Sequence, residues 1–99
     1  MKIYISGKIS GTDLTKTRAR FAAAAKVTKR LGYEPVNPFE NGLSEHDSWE
    51  AHMLKDIADL LQCNAIYMLQ GWEDSKGARI EHYIATEIGM PIMYEIERD

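Results

Sequence analysis

The chain has 99 residues, of which 44% are hydrophobic and 27% charged, and its formal net charge is -3. These values are ordinary for a single globular domain spanning residues 1–99, and they argue against an intrinsically disordered chain. The negative charge removes the electrostatic basis for binding a nucleic-acid polymer, although it does not exclude a nucleotide.

The only cysteine, Cys63, permits no internal disulfide. No apolar run approaches the length of about eighteen residues that a membrane span needs, and the opening segment is too short to be a signal peptide. We therefore expect a cytoplasmic protein with no membrane partner, and we interpret Cys63 as an inert thiol of the core.

The chain opens with residues 2–6, whose apolar character predicts a strand. Residues 7–12 follow as a loop bracketed by glycines, of the kind that wraps phosphate or sugar with backbone N–H groups. The candidate ligand-binding residues of this loop are Gly7, Lys8, Ile9 and Gly11. The loop matches neither a Walker-type phosphate loop nor a dinucleotide fingerprint, and a simple strand-to-helix turn would have the same composition.

A helix capped by Thr12 or Asp13 comes next in the predicted structure. Residues 33–36 are then a short second strand, whose proline favours a position at the edge of the sheet. The polar segment 37–47 is the longest connection in the chain, and long loops at this end of a sheet commonly cover a site. Asn37, where this loop begins, is therefore a further candidate ligand-binding residue.

The next predicted helix covers residues 49–62. With a rotation of about 100° per residue, Trp49, Met53 and Leu60 fall on one side of the helix and form an apolar stripe. Asp56 projects from the centre of that stripe. A carboxylate in such a position must be paired, hydrogen-bonded or functional, because its desolvation is unfavourable. Asp56 is therefore either a catalytic candidate or a structural aspartate that caps a loop or pairs with a buried lysine.

Residues 65–68 form an apolar strand, and the loop after it contains Trp72. Trp72 either stacks on a nucleobase or anchors its loop on the core. The three histidines, His46, His52 and His82, show no metal-ligand spacing with one another or with the cysteine. We therefore predict no metal site and no cofactor.

The segment 75–81 has the composition of a loop that runs into a helix and carries chemistry. Gly77 gives the backbone freedom to turn and to approach a ligand closely, and apolar residues then continue at helical spacing as far as Gly89. Glu81 lies in an early turn, near the positive end of the helix dipole, where a carboxylate is stabilised as the anion. It is a candidate catalytic residue, or it merely favours the dipole. Residues 91–94 form the last strand.

Four strands that alternate with helices predict a single-domain, three-layer α/β/α fold with a flavodoxin-like or Rossmann-like parallel sheet. Right-handed crossovers favour the strand order 2-1-3-4. In this order the chain reverses between the first and third strands, so the loops after these strands converge on one crevice with Glu81 beside it.

A recognisable pattern is formed by the first strand with Gly7, by Asp56 on a helix ending in Cys63-Asn64, by Ser75-x-Gly77-Ala78-x-x-Glu81 and by Gly89-x-Pro91. This pattern resembles the nucleoside 2-deoxyribosyltransferase superfamily, near its branch of 2'-deoxynucleoside 5'-phosphate N-hydrolases. The resemblance covers essentially the whole chain.

The resemblance implies that Glu81 is the nucleophile on the anomeric carbon of the deoxyribose, that Tyr4 helps to position it, and that Asp56 protonates the departing base. It also implies that Ser75 lies in the sugar or phosphate pocket. This chemistry is coherent, because one carboxylate can trap an oxocarbenium-like state while another acid protonates the leaving group. Lys8 stands where the hydrolase branch has a phosphate-binding serine, and it can bind a phosphate as a point charge.

We therefore expect an enzyme of nucleotide metabolism, a hydrolase or transferase, that acts on the N-glycosidic bond of a 2'-deoxynucleoside or its 5'-monophosphate. We also expect a homodimer or a higher homo-oligomer, with Trp49 and Met53 in the candidate interface. The alternative is a non-catalytic domain that senses or sequesters a ribosylated nucleotide. The presence of both Glu81 and Asp56 favours the enzyme, because a pure binder does not need a carboxylate inside an apolar stripe.

Overall fold

A computed structural model describes residues 1–96, and within them four parallel strands form one sheet. The strands are β1 Lys2–Ser6, β2 Glu34–Val36, β3 Ala65–Met68 and β4 Ile92–Tyr94. Their order is β2-β1-β3-β4, and every neighbouring pair is parallel. The predicted sheet and its strand order are both confirmed, including the edge position of the strand that contains the proline.

Three α-helices connect the strands within the same residues: α1 Leu14–Arg30, α2 Trp49–Leu60 and α3 Lys76–Glu87. Each begins at a polar cap whose side-chain oxygen accepts a backbone N–H of the first turn; these caps are Asp13, Ser48 and Ser75. Two segments predicted as loops each contain one short 3-10 helix, Pro38–Glu40 and Trp72–Asp74. The first follows from Asn37, whose side chain accepts the N–H of Phe39, and from the proline at its start.

The sheet has a separate apolar cluster on each face. On one face Ile3 and Ile5 of β1 pack against Phe21 of α1. On the other face Tyr4 packs in a cluster with residues of α2 and α3, such as Leu60 and Ala85. Alternate residues of β1 therefore serve opposite layers, as the pleat of a strand requires, and the predicted three-layer α/β/α arrangement is confirmed.

The cysteine is buried, and its thiol donates to the backbone carbonyl of Asp59 at 3.3 Å. Burial raises the pKa of Cys63 to about 11, so the thiol stays protonated at neutral pH and has little nucleophilic character. As for membranes, none of the helices formed by residues 1–96 combines the length and the apolar character that crossing a bilayer requires.

Candidate active site

The carboxylate of Glu81 is held by two hydroxyl groups from the first strand. The hydroxyl of Tyr4 donates to Oε2 at 2.9 Å, and the hydroxyl of Ser6 donates to Oε1 at 2.6 Å. Tyr4 and Ser6 are two positions apart on β1, so their side chains leave the same face of the sheet. That is the face against which α3 packs, with Glu81 in the second turn of the helix.

This carboxylate is almost completely withdrawn from solvent, with 5% of its surface exposed. Burial raises the pKa of Glu81 to about 7, and the negative charge of Asp56 acts in the same direction. The hydrogen bonds from Ser6 and Tyr4 oppose the rise, because they stabilise the anion. Burial and the charge of Glu81 also hold the pKa of Tyr4 well above its usual value, so Tyr4 remains a hydroxyl donor.

Asp56 projects from the buried side of α2, where 7% of its surface is exposed. Its Oδ1 accepts a hydrogen bond from Nδ2 of Asn41 at 2.9 Å. Burial raises the pKa of Asp56, while the hydrogen bond from the Asn41 amide opposes the rise. The expectation that a carboxylate in this apolar stripe needs a hydrogen-bonding partner is met, and the partner is an amide rather than a buried lysine.

A cavity of about 730 Å³ opens onto both carboxylates. Its walls come from the carboxyl end of β1, the loop 7–12, the connection 37–47 and the facing ends of α2 and α3. The predicted site residues that line it are Tyr4, Gly7, Ile9, Gly11, Asp56, Ser75, Gly77 and Glu81. The structure therefore gathers all three predicted catalytic side chains and most of the predicted ligand-binding residues around one space.

Two glycines allow the walls of this cavity to approach closely. A Cβ at Gly77 would lie 3.0 Å from Sδ of Met53, so the absence of a side chain eases the contact between the start of α3 and α2. A Cβ at Gly7 would lie 3.0 Å from Cβ of Leu69 and 3.2 Å from the ring of Phe21. A side chain at either position would force its neighbours to shift, so both glycines favour this close packing, in addition to any contact they make with a ligand.

Three predicted ligand-binding residues, Lys8, Asn37 and Trp72, are not part of the cavity walls. Gly7 and Ile9, the neighbours of Lys8 in the first loop, line the cavity, whereas Lys8 does not. The side chain of Asn37 accepts the N–H of Phe39 and holds the following 3-10 helix. Trp72 stacks on the ring of His82 with centroids 4.2 Å apart and packs on the core, which is the loop-anchoring alternative.

Other side chains at the site were not singled out from the sequence, namely Ser6, Arg18, Asn41 and His52. Two of them had a signal in the sequence: Ser6 follows Tyr4 by two positions on a strand, and His52 precedes Asp56 by four positions on a helix. Asn41 sits in an irregular loop with no periodicity. Arg18 lies on an exposed part of α1, and its guanidinium is 4.7 Å from the ring centre of Phe39.

The titratable groups of the site do not form a metal centre. Among residues 1–96 no cluster of three or more histidine, cysteine, aspartate or glutamate side chains has the geometry to hold a metal ion. What the arrangement offers chemically is a pair of buried carboxyl groups with raised pKa values, each held by neutral donors, at the wall of one cavity. Such a pair suits reactions that need both a nucleophile and a proton donor.

Comparison with known proteins adds a family and a fold. A sequence profile described as "Domain of unknown function (DUF4406)" matches residues 1–94. No curated protein matches the chain. Among solved structures the chain is similar to a 2-deoxyribosyltransferase from the psychrotolerant bacterium Bacillus psychrosaccharolyticus, with a TM-score of 0.71 and 21% sequence identity over 99% of this chain and 77% of that chain. This likeness confirms the fold that the resemblance implied.

Proposed function

The chain belongs to the DUF4406 domain family, and from the chemistry of its cavity we propose that it is an enzyme acting on the N-glycosidic bond of a 2'-deoxynucleoside or its 5'-monophosphate. Glu81 is the nucleophile, Asp56 the proton donor and Tyr4 the residue that positions Glu81. The solved structure to which the chain is similar supports the proposal, because that protein is a 2-deoxyribosyltransferase, a suitable biocatalyst for nucleoside synthesis.

The observation that carries the proposal is the environment of Glu81. A carboxylate with 5% of its surface exposed and a pKa raised to about 7 is unfavourable for folding, and no cation pairs with it among residues 1–96. Its two hydrogen bonds come from neutral hydroxyls, which orient both oxygens without neutralising the charge. A nucleophile for an electron-poor carbon needs a fixed, weakly solvated anion of this kind.

In the first step an oxygen of the Glu81 carboxylate forms a bond to the anomeric carbon of the deoxyribose. The bond from that carbon to the base nitrogen breaks, its electron pair goes to the nitrogen, and the Asp56 carboxyl group supplies the proton. In the second step water, or the nitrogen of another base, attacks the same carbon and releases Glu81, while Asp56 accepts the proton of the attacking group. Water gives hydrolysis and a second base gives transfer, with retention at the anomeric carbon in both cases.

The cavity has room for such a substrate, since pockets for small ligands usually enclose about 300 to 1,000 Å³ and this one encloses about 730 Å³. Arg18 is the only lysine or arginine of its walls within the described residues. Its guanidinium rests on Phe39 and has no hydrogen bond or ion pair with residues 1–96. We therefore assign a 5'-phosphate, where the substrate carries one, to Arg18 rather than to Lys8.

The direct test is incubation of the protein with mixed deoxynucleosides and deoxynucleotides, with mass spectrometry of the products. Free base without a second base present identifies hydrolysis, and exchanged nucleosides identify transfer. A 2-fluorinated deoxyribosyl substrate, whose oxocarbenium-like state is destabilised, should leave a covalent sugar adduct on the peptide that contains Glu81. If ligands bind to the protein but no compound is turned over, the enzyme is refuted and the nucleotide-binding alternative stands.

A further inference from the structure

Every polar atom of the Asn41 side chain has a partner, although the residue is buried with 9% of its surface exposed. Its Oδ1 accepts the backbone N–H of Leu43 at 2.9 Å. Its Nδ2 donates to Oδ1 of Asp56 at 2.9 Å and lies 3.2 Å from Nδ1 of His52. The amide cannot be reversed, because its NH₂ group would then face the N–H of Leu43, donor against donor.

The ring of His52 completes this network from the other side. Its Nε2 lies 2.8 Å from the backbone carbonyl of Ser44, so Nε2 carries the proton in this arrangement. Nδ1 is then an acceptor for the second hydrogen of the Asn41 amide. The two hydrogens of Nδ2 therefore have two different acceptors, and the hydrogen directed at Asp56 has a fixed direction.

The two carboxylate oxygens of Asp56 differ in their hydrogen bonds. Oδ1 accepts from Asn41, whereas Oδ2 has no hydrogen-bond partner among residues 1–96. No buried side-chain nitrogen or oxygen in that part of the chain lacks a partner, so Oδ2 must be accessible. Because Asp56 lines the cavity, Oδ2 is the oxygen that a ligand meets.

We propose that Asn41 and His52 are positioning residues that place the transferable proton of Asp56 on Oδ2, facing the departing base. An amide N–H pointing at Oδ1 favours the unprotonated, carbonyl form of that oxygen, which is the better acceptor, so a protonated Asp56 carries its proton on Oδ2. When the O–H bond breaks and the N–H bond to the base forms, Asp56 becomes the anion, and its hydrogen bond from Asn41 strengthens because it becomes charge-assisted. This inference rests on the proposed function.

Two substrates with different leaving groups test the inference. A deoxynucleoside needs a proton on its departing base, whereas 4-nitrophenyl 2-deoxyriboside releases a stable phenolate that needs none. Proton donation commonly contributes about 10² to 10⁴ in rate. We expect Asn41→Ala to lower kcat/KM roughly 10- to 100-fold for the deoxynucleoside and less than about threefold for the aryl substrate.

Two variants of His52 guard against a folding defect, because removing the Asn41 side chain also removes the acceptor of the Leu43 N–H. His52→Leu keeps both bonds of Asn41 to Leu43 and Asp56 but removes the acceptor that fixes the amide, so it should show the same selective loss at smaller size. His52→Asn restores an acceptor near the position of Nδ1 and should recover part of that loss. Thermal unfolding followed by circular dichroism verifies that each variant is folded.

The matched control is Asn37→Ala, which removes another side-chain hydrogen bond of the same connection without touching Asp56. It should change the rates for both substrates by the same factor. An equal loss on both substrates for folded His52→Leu, or for folded Asn41→Ala, overturns the positioning role while leaving the proposed function intact. A parent protein that cleaves neither substrate refutes the proposed function, and the positioning role is refuted with it.

Discussion

The variant Glu81→Gln distinguishes two descriptions of Glu81: a desolvated carboxylate, or a charge that only favours the helix dipole. The two descriptions predict opposite effects of the substitution on stability. In the folded chain the pKa of Glu81 is raised from an ordinary 4.5 to about 7. Each pKa unit corresponds to about 1.4 kcal/mol, so the ionised side chain destabilises the folded state by about 3 kcal/mol. Glutamine keeps the shape of the side chain and cannot ionise, so this destabilisation is absent from the variant.

The pH dependence fixes the sign of the effect. Below about pH 4.5 the glutamate is protonated in both the folded and the unfolded chain, and it has no influence on the pH dependence. Between pH 4.5 and 7 the unfolded chain has lost this proton while the folded chain keeps it, so the parent loses stability as the pH rises. We compare the free energy of unfolding of Glu81→Gln with that of the parent at each pH. Between pH 4.5 and pH 8 this difference should change by about 3 kcal/mol in favour of the variant.

Urea unfolding at a series of pH values measures this difference. With a slope of about 1 to 3 kcal/mol per molar urea for a chain of this size, the difference corresponds to a midpoint shift of about 1 to 3 M. Any constant effect of the amide on the bonds from Tyr4 and Ser6 cancels in the comparison between pH values. Glu87→Gln, an exposed glutamate on the same helix, is the matched control and should show no such growth with pH.

A role in the helix dipole alone predicts the reverse, a loss of roughly 0.3 to 1 kcal/mol at pH 8 when the charge is removed. Finding that loss would refute the description of Glu81 as a desolvated carboxylate. In the same samples turnover of the proposed deoxynucleoside substrate should fall by several orders of magnitude, because the proposed nucleophile is removed. A variant that is both stabilised at pH 8 and fully active would move the chemistry to another residue.

Three further predictions follow from the same site. Tyr4→Phe removes a donor that stabilises the Glu81 anion, so the acidic limb of kcat/KM against pH should move upward by about one unit; a limb that stays in place contradicts the positioning role. Arg18→Gln should weaken binding of a deoxynucleoside 5'-monophosphate about tenfold or more relative to the nucleoside, measured by calorimetry, while Lys8→Gln should affect both ligands alike; the opposite pattern would return the phosphate to Lys8. Light scattering should find a homodimer or larger assembly, and a monomer at high micromolar concentration with an intact ligand site would count against the predicted interface at Trp49.

The alternation of strands and helices was enough to predict the sheet, its order and the crevice, because parallel α/β topology leaves few arrangements for a chain with four strand-helix repeats. The positions of Asp56 and Glu81 at the cavity were also predictable, one from its place in an apolar stripe and the other from a glycine-containing helix start. In both cases the signal was local, since it lay within a few turns of one helix.

The partners of these carboxylates were harder to predict, because they depend on how an irregular loop folds. Asn41 reaches Asp56 from a segment without periodicity, and the side on which Lys8 emerges from its loop follows from backbone angles that composition does not determine. Trp72 was open to two interpretations, since an aromatic side chain on a loop suits a ligand and a core equally well. Only its stacking on His82 favours one of them.

Met53 illustrates the same limit for the predicted interface. It was placed with Trp49 on a candidate oligomer surface, but Met53 is buried and would lie 3.0 Å from a Cβ at Gly77. The contact is internal, because the absence of a side chain at Gly77 lets α3 close on α2. Trp49 keeps 39% of its surface exposed and remains available to a neighbouring subunit.

The stability of the domain bears on why Glu81 is there at all. The free energy of unfolding of a domain is commonly about 5 to 15 kcal/mol. An ionised Glu81 lowers it by about 3 kcal/mol. Glutamine would accept the same position without this loss, so packing does not explain a carboxylate there. The donors reinforce the point: Tyr4 and Ser6 stabilise the anion with neutral hydroxyls, where a buried lysine or arginine would have stabilised it further and blunted its reactivity. A buried carboxylate held only by neutral donors is suited to the proposed role of nucleophile for the anomeric carbon.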